Sequence, residues 1–124
     1  FNTLSGGEQR RIHFARTLLQ LWRPSDAKDP KYLLLDEPTA NLDLTYEVKM
    51  LNIIKEVSNE GSGVMLVLHD LNLAAKYSDK VILLSNGKIV EIGSPKDVLK
   101  AKLLSLIYDI DIKIKEDPLF ITYY

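Results

Sequence analysis

The chain has no cysteine. That removes any disulfide framework or thiolate metal site, and it suits a reducing compartment. No apolar run approaches the roughly 18–20 residues that span a bilayer, and the start does not read as a secretory signal. Neither sign of charge dominates: 16 Lys and Arg against 17 Asp and Glu leave a formal net charge of -1. No global basic field is therefore available for nucleic acid or an anionic membrane, and membrane association is expected to run through a partner. Internal repeats and low-complexity tracts are missing too. The first residue is Phe1 rather than methionine, so a segment of a longer protein is expected. What is present is ordinary for a globular chain: 124 residues, 46% hydrophobic and 27% charged, enough for one modest core.

Ser5-Gly6-Gly7-Glu8 has the spacing of a capping box, and the helix behind it puts Ile12, Ala15, Leu18 and Leu19 on one face. Pro24 ends it near Trp22, and Ser25 to Lys31 reads as an exposed loop. Tyr32 to Leu35 is a continuous apolar run, the pattern of a strand covered on both faces. Asp43 can cap a second helix, stopped by Gly61 and Gly63. Val64 to Leu68 reads as another buried strand, and Asp70 can cap a short helix to Tyr77. Strand, helix, strand points to a parallel crossover. Beyond it, Asn86-Gly87 marks a hairpin between Val81–Ser85 and Ile89–Ile92. Ser94-Pro95 opens one further helix carrying Val98, Leu99, Leu103, Leu106 and Ile107. A last hairpin turns at Asp117-Pro118 between alternating Ile110, Ile112, Ile114 and Leu119 to Tyr124.

Three places carry chemistry. Asp36 and Glu37 end an apolar strand, where open α/β sheets present side chains to ligands. The first acid suits magnesium; the second suits polarising an attacking water. A pair of solvated acids opening a loop is the plainer alternative. Gly6 and Gly7 let backbone amides approach an anion, with the Ser5 hydroxyl and a helix dipole aimed the same way. A glycine turn before a capped helix would explain Ser5 and Glu8 without a ligand. His69 follows the second strand and is expected near the acids, where a neutral imidazole can contact a γ-phosphate and orient water. His13 has no acidic or histidine residue at helical spacing and is assigned no function. Arg10, Arg11, Arg16 and Arg23 are too scattered for a nucleic-acid footprint and read as a solvated helix face.

The phosphate-cradling pattern Gly-x-x-x-x-Gly-Lys-Ser/Thr is absent; Gly87-Lys88 belongs to the hairpin turn. With that gap, the chain resembles the second half of an ATP-binding-cassette (ABC) transporter ATPase. Leu4-Ser5-Gly6-Gly7-Glu8 is similar to the family signature, and Tyr32 to Glu37 to its Walker B strand. Ala40-Asn41-Leu42-Asp43 is similar to the D-loop, and His69 to the switch histidine. The resemblance implies an α/β, partial P-loop NTPase fold lacking the Walker A strand, with residues 1–23, 32–93 and 94–124 as signature helix, core and C-terminal part of one domain. It implies ATP and Mg2+, with Asp36 serving the metal, Glu37 the hydrolytic water and His69 the γ-phosphate. Ser5, Gly6, Gly7 and Glu8 would serve a partner's nucleotide, and Asp43 would couple the two sites.

It also implies a second ATPase subunit, transmembrane permease subunits, an indirect substrate-binding protein and no nucleic acid, at the cytoplasmic face of the plasma membrane. His69-Asp70-Leu71-Asn72-Leu73-Ala74 resembles importers of iron chelates, haem and cobalamin; the Leu21-Trp22 segment looks most like haem importers. Gln9-Arg10, where many relatives carry two glutamines, is expected to leave the chemistry unaffected. Without the Walker A strand, Val64–Leu68 and Val81–Leu84 are expected to pair with each other or with a second copy. Two other classes remain: a non-transport cassette ATPase acting on DNA or ribosomes, and a non-catalytic interaction module.

Overall fold

The computed structural model describes residues 5–21 and 30–123. Trp22, Pro24 and most of the expected loop lie outside them, as does Leu4. The elements, in chain order, are α1 (Gly6–Leu21), β1 (Tyr32–Asp36), α2 (Leu44–Asn59), β2 (Gly63–Val67), α3 (Leu71–Tyr77), β3 (Val81–Ser85), β4 (Lys88–Gly93), α4 (Pro95–Val98), α5 (Ala101–Tyr108), β5 (Ile112–Glu116) and β6 (Leu119–Tyr123). The chain divides into two compact units, Phe1–Val67 and Leu68–Tyr124. The division falls inside the 32–93 segment. The described strands form three two-stranded sheets, β1-β2, β3-β4 and β5-β6. β2 thus has β1 as its partner and β3 has β4, so the expected pairing of Val64–Leu68 with Val81–Leu84 is not formed.

In the first unit, β1 and β2 run parallel, in register from Tyr32 opposite Gly63 to Asp36 opposite Val67. The crossover between them is α2, which packs on β2 and buries Met50, Leu51 and Ile54. Its start is fixed by Asp43, whose carboxylate accepts the Tyr46 amide at 3.1 Å. Its end is fixed by Gly61, which takes φ +97 where a side chain would be strained. Leu33 is buried at 2% exposure, but its strand neighbours Tyr32 and Leu34 are 68% and 72% exposed. Met65 and Val67 on β2 are also exposed. The expectation of a strand covered on both faces is therefore wrong here: strand side chains alternate between faces, and only one face is covered among the described residues. Tyr32 lies over its cross-strand partner, since a Cβ on Gly63 would come within 2.7 Å of its ring.

Helix α1 starts on the expected capping box. The Ser5 amide donates to Glu8 Oε2 at 2.8 Å, and the Glu8 amide donates to Ser5 Oγ at 3.3 Å. The hydrogen bonds from the Ser5 hydroxyl and then the Ser5 amide, with a smaller contribution from Arg11, hold the Glu8 carboxyl below its usual range. The apolar face differs from expectation. No residue of α1 is buried, Leu19 is 70% exposed and Ala15 is exposed, while Phe14 is half-buried.

The second unit has one core, to which nearly every element contributes: Leu71, Leu83, Val98, Leu99, Leu104, Ile112 and Ile121. Asp70 caps α3 by accepting the Asn72 and Leu73 amides at 2.7 and 3.1 Å. The Asn72 side chain then docks α3 on β6: its amide donates to Ile121 O at 3.1 Å, and its carbonyl accepts the Ile121 amide at 2.7 Å. Asn86 and Gly87 take φ +50 and +71, the paired positive values of a tight hairpin turn. The single helix expected after Ser94 is broken at Leu99 and Lys100 into α4 and α5. In one unbroken helix Lys102, four residues after Val98, would share its face, and Leu104 would point about 120° away. The break lets Val98, Leu99 and Leu104 all reach the core and leaves Lys102 exposed. Ile110, expected in the last hairpin, precedes β5 and is 42% exposed.

Leu104→Ala should destabilise the second unit by about 2–5 kcal/mol, whereas Leu106→Ala, at a 79% exposed position, should cost less than about 0.5 kcal/mol, as read by urea unfolding. Because Glu8 is held below its ordinary value when folded, the cap's contribution is complete above the unfolded-state value and fades as pH falls through the lowered one. The loss of thermal stability caused by Ser5→Ala, measured by circular dichroism, should accordingly be largest near neutrality and shrink in strong acid, where only the Glu8 amide's bond to Ser5 Oγ is at stake.

Candidate nucleotide-handling site

The parallel ladder ends at Asp36, and the backbone then does something unusual. The Glu37 amide donates to Val67 O, at 3.2 Å, closing the last pair of the ladder, Asp36 opposite Val67. The φ of Glu37 is +44, in the left-handed region that glutamate seldom occupies. The chain turns immediately: the Ala40 amide donates to Glu37 O at 3.2 Å and the Leu42 amide to Thr39 O at 3.1 Å. Asn41 is also left-handed, at φ +60, and Thr39 is buried. Residues held in such conformations concentrate at sites where a particular side-chain direction is needed.

This turn forms one wall of an open cleft of about 440 Å³. Leu35, Asp36, Glu37, Pro38 and Ala40 line that side; Arg10, His13, Phe14 and Thr17 of α1 line the other. Asp36 is exposed and Glu37 half-buried, so both acids are reachable from solvent. The cleft brings Asp36 and Glu37 together with His13, to which the sequence reading gave no function. Among the described residues no group of three His, Asp or Glu could cage a metal ion. The acid pair offers one or two carboxylates, the number with which a protein commonly holds magnesium beside phosphate oxygens and water.

The remaining predicted residues are not among those lining the cleft. Ser5, Gly6 and Gly7 form the head of α1, where the Ser5 hydroxyl donates to Glu8 Oε2 at 2.7 Å. Ser5 and Glu8 are thus already committed to the cap, and a Cβ on Gly6 would meet nothing within 4 Å, so the helix head is open. Asp43 caps α2 and belongs to the same unit as the acids. His69 is exposed and lies just before α3, in the second unit.

Arg10 and Arg11 were read as a solvated face, and that reading is corrected. The Arg10 guanidinium donates to the Ala40 carbonyl, thirty residues away in sequence. Arg11 stacks on the Tyr46 ring, 4.2 Å from its centroid. Two consecutive arginines one helical turn behind the glycine pair were the local signal available. Phe14, which lines the cleft in place of the expected Ala15 face, had none.

No protein-family model matches the chain. Over 118 residues it is 47% identical to the hemin import ATP-binding protein HmuV of Bartonella quintana (strain Toulouse), a match spanning 95% of the chain and 45% of that protein. It is 43% identical over 119 residues to the HmuV of Escherichia coli O157:H7, spanning 95% of the chain and 46% of that protein. The chain therefore spans less than half the length of these relatives. Among solved structures, one described as a metal-chelate type ABC transporter in an inward-facing conformation superposes with a TM-score of 0.77 at 22% identity, over 99% of this chain and 48% of that one. The ATP-binding cassette MJ0796, in a dimeric post-hydrolysis state with ADP and Pi, gives 0.62 at 32% identity, over 76% of this chain and 37% of that one. Over nearly its whole length the chain is homologous to a segment of ABC-type ATP-binding subunits, and it has their α/β fold there.

Proposed function

We propose that this chain is the part of an ABC-importer ATPase that carries the water-activating acid and the signature helix, serving uptake of haem or another iron chelate. The observation that carries the reading is the end of β1: Asp36 in the last strand position, then Glu37 turned left-handed and tied to Val67 O, both lining an open cleft. The relatives named as hemin import proteins supply the cargo class.

In this reading Asp36 holds Mg2+, which when bound neutralises charge on the transferring phosphoryl group. Glu37 accepts a hydrogen bond from the attacking water and takes its proton as the oxygen closes on phosphorus. His69 contacts the γ-phosphate as a neutral imidazole. The open head of α1, with Gly6, Gly7 and the Ser5 hydroxyl, receives the γ-phosphate of a nucleotide held by a second subunit, and Glu8 keeps that head wound. Asp43, fixed at the start of α2, links the two nucleotide sites. The assembled protein works as a pair of such subunits on a permease, at the cytoplasmic face of the membrane, with the substrate-binding protein contacted only through the permease. No described helix is long and apolar enough to cross a membrane itself.

In a subunit that contains this chain, assembled with its permease, haem should stimulate ATP hydrolysis. Glu37→Gln should lower the hydrolysis rate by about 10²–10⁴-fold while leaving ATP binding in place; an unchanged rate would contradict the role. The 124-residue chain alone has no Gly-x-x-x-x-Gly-Lys-Ser/Thr loop, so millimolar ATP should leave its melting temperature unmoved.

A further inference from the structure

Three contacts hold the segment from Glu37 to Tyr46, and two of them come from consecutive residues of α1. At the front, the Glu37 amide is bonded to Val67 O. In the middle, Arg10 donates to the Ala40 carbonyl. At the back, Arg11 stacks on Tyr46, whose amide is the donor that Asp43 accepts in capping α2. Consecutive helical side chains diverge by about 100°, so one arginine reaches the middle of the turn while the next reaches the helix that follows it. The turn needs such support. It has two non-glycine residues at positive φ, Glu37 and Asn41, and turn hydrogen bonds of 3.1 and 3.2 Å.

We infer that the Arg10–Arg11 pair is a clamp that fixes the turn bearing Glu37 and Asp43 to the signature helix, which makes Arg10 a positioning residue for the acid site. The catalytic half of this statement rests on the function proposed above. The glycine pair sits one turn ahead of the arginines on the same helix, so a shift of α1 is carried directly to Ala40 and Tyr46. At position 10 a neutral, shorter glutamine would offer a weaker donor to the same carbonyl, whereas the guanidinium makes a charge-assisted bond.

Amide hydrogen exchange on the chain itself tests the clamp. In Arg10→Gln the Ala40 and Leu42 amides should exchange about tenfold faster, with Met50 to Ile54 in the middle of α2 unchanged. Arg10→Lys, which keeps the charge and a donor, should recover most of the protection. Unchanged exchange at Ala40 and Leu42, or an equal rise through α2, would overturn the clamp. In an ATP-binding subunit containing this chain, Arg10→Gln should lower kcat severalfold with KM for ATP unmoved, and Arg10→Lys should restore it. Full kcat with a loosened turn would overturn the positioning role. A wild-type subunit without ATP hydrolysis would instead remove the proposed function, and the exchange data alone would then decide the clamp.

Discussion

The site depends on the hydrogen bond that closes a strand ladder. Parallel pairing of β1 with β2 ends at Asp36 opposite Val67, and the Glu37 amide makes that pair's last bond, to Val67 O. That bond holds the backbone of Glu37 while its φ swings to +44, and the chain reverses within three residues. Strand alternation sends Asp36 one way, and the left-handed step re-aims Glu37. Two adjacent acids therefore face one cleft instead of opposite sides of a sheet.

The residues that read as functional are, for the most part, residues with a structural task already. Ser5 and Glu8 close a capping box, Asp43 starts α2 and Asp70 starts α3. Each satisfies helix amides that would otherwise lack partners. A cap also fixes where a helix begins and hence where its dipole points. At the head of α1 the Ser5–Glu8 exchange fixes where the helix begins. Under the proposed function, phosphate recognition would draw on the same few atoms.

Much of this was legible in the sequence. The caps, the glycine stop at Gly61 and the Asn-Gly hairpin are local and appear where their spacing put them, while Gly63, the other expected stop, is the first residue of β2. The strand end at the acid pair was legible because the apolar run stops at Asp36, and β1 ends there. What failed was non-local. Apolar periodicity does not say which faces find a cover, so Tyr32 and Leu34 were assigned to a core and are exposed. The break at Leu99 and Lys100 exists because three large residues converge on one core, a demand that helical spacing cannot express. Arg10 finds its acceptor thirty residues away, and no pattern within α1 announces it. Asn72 is similar: its two bonds to Ile121 cross 49 residues.

Nuclear magnetic resonance can test the end of the ladder without any assumption about activity. The account requires a resolvable scalar coupling across the hydrogen bond from the Glu37 nitrogen to the Val67 carbonyl carbon, with Glu37 amide exchange as slow as that of the neighbouring β1 amides. A missing coupling together with exchange at the rate of an unstructured peptide would mean that Glu37 is not held, and the acid site as described would not exist.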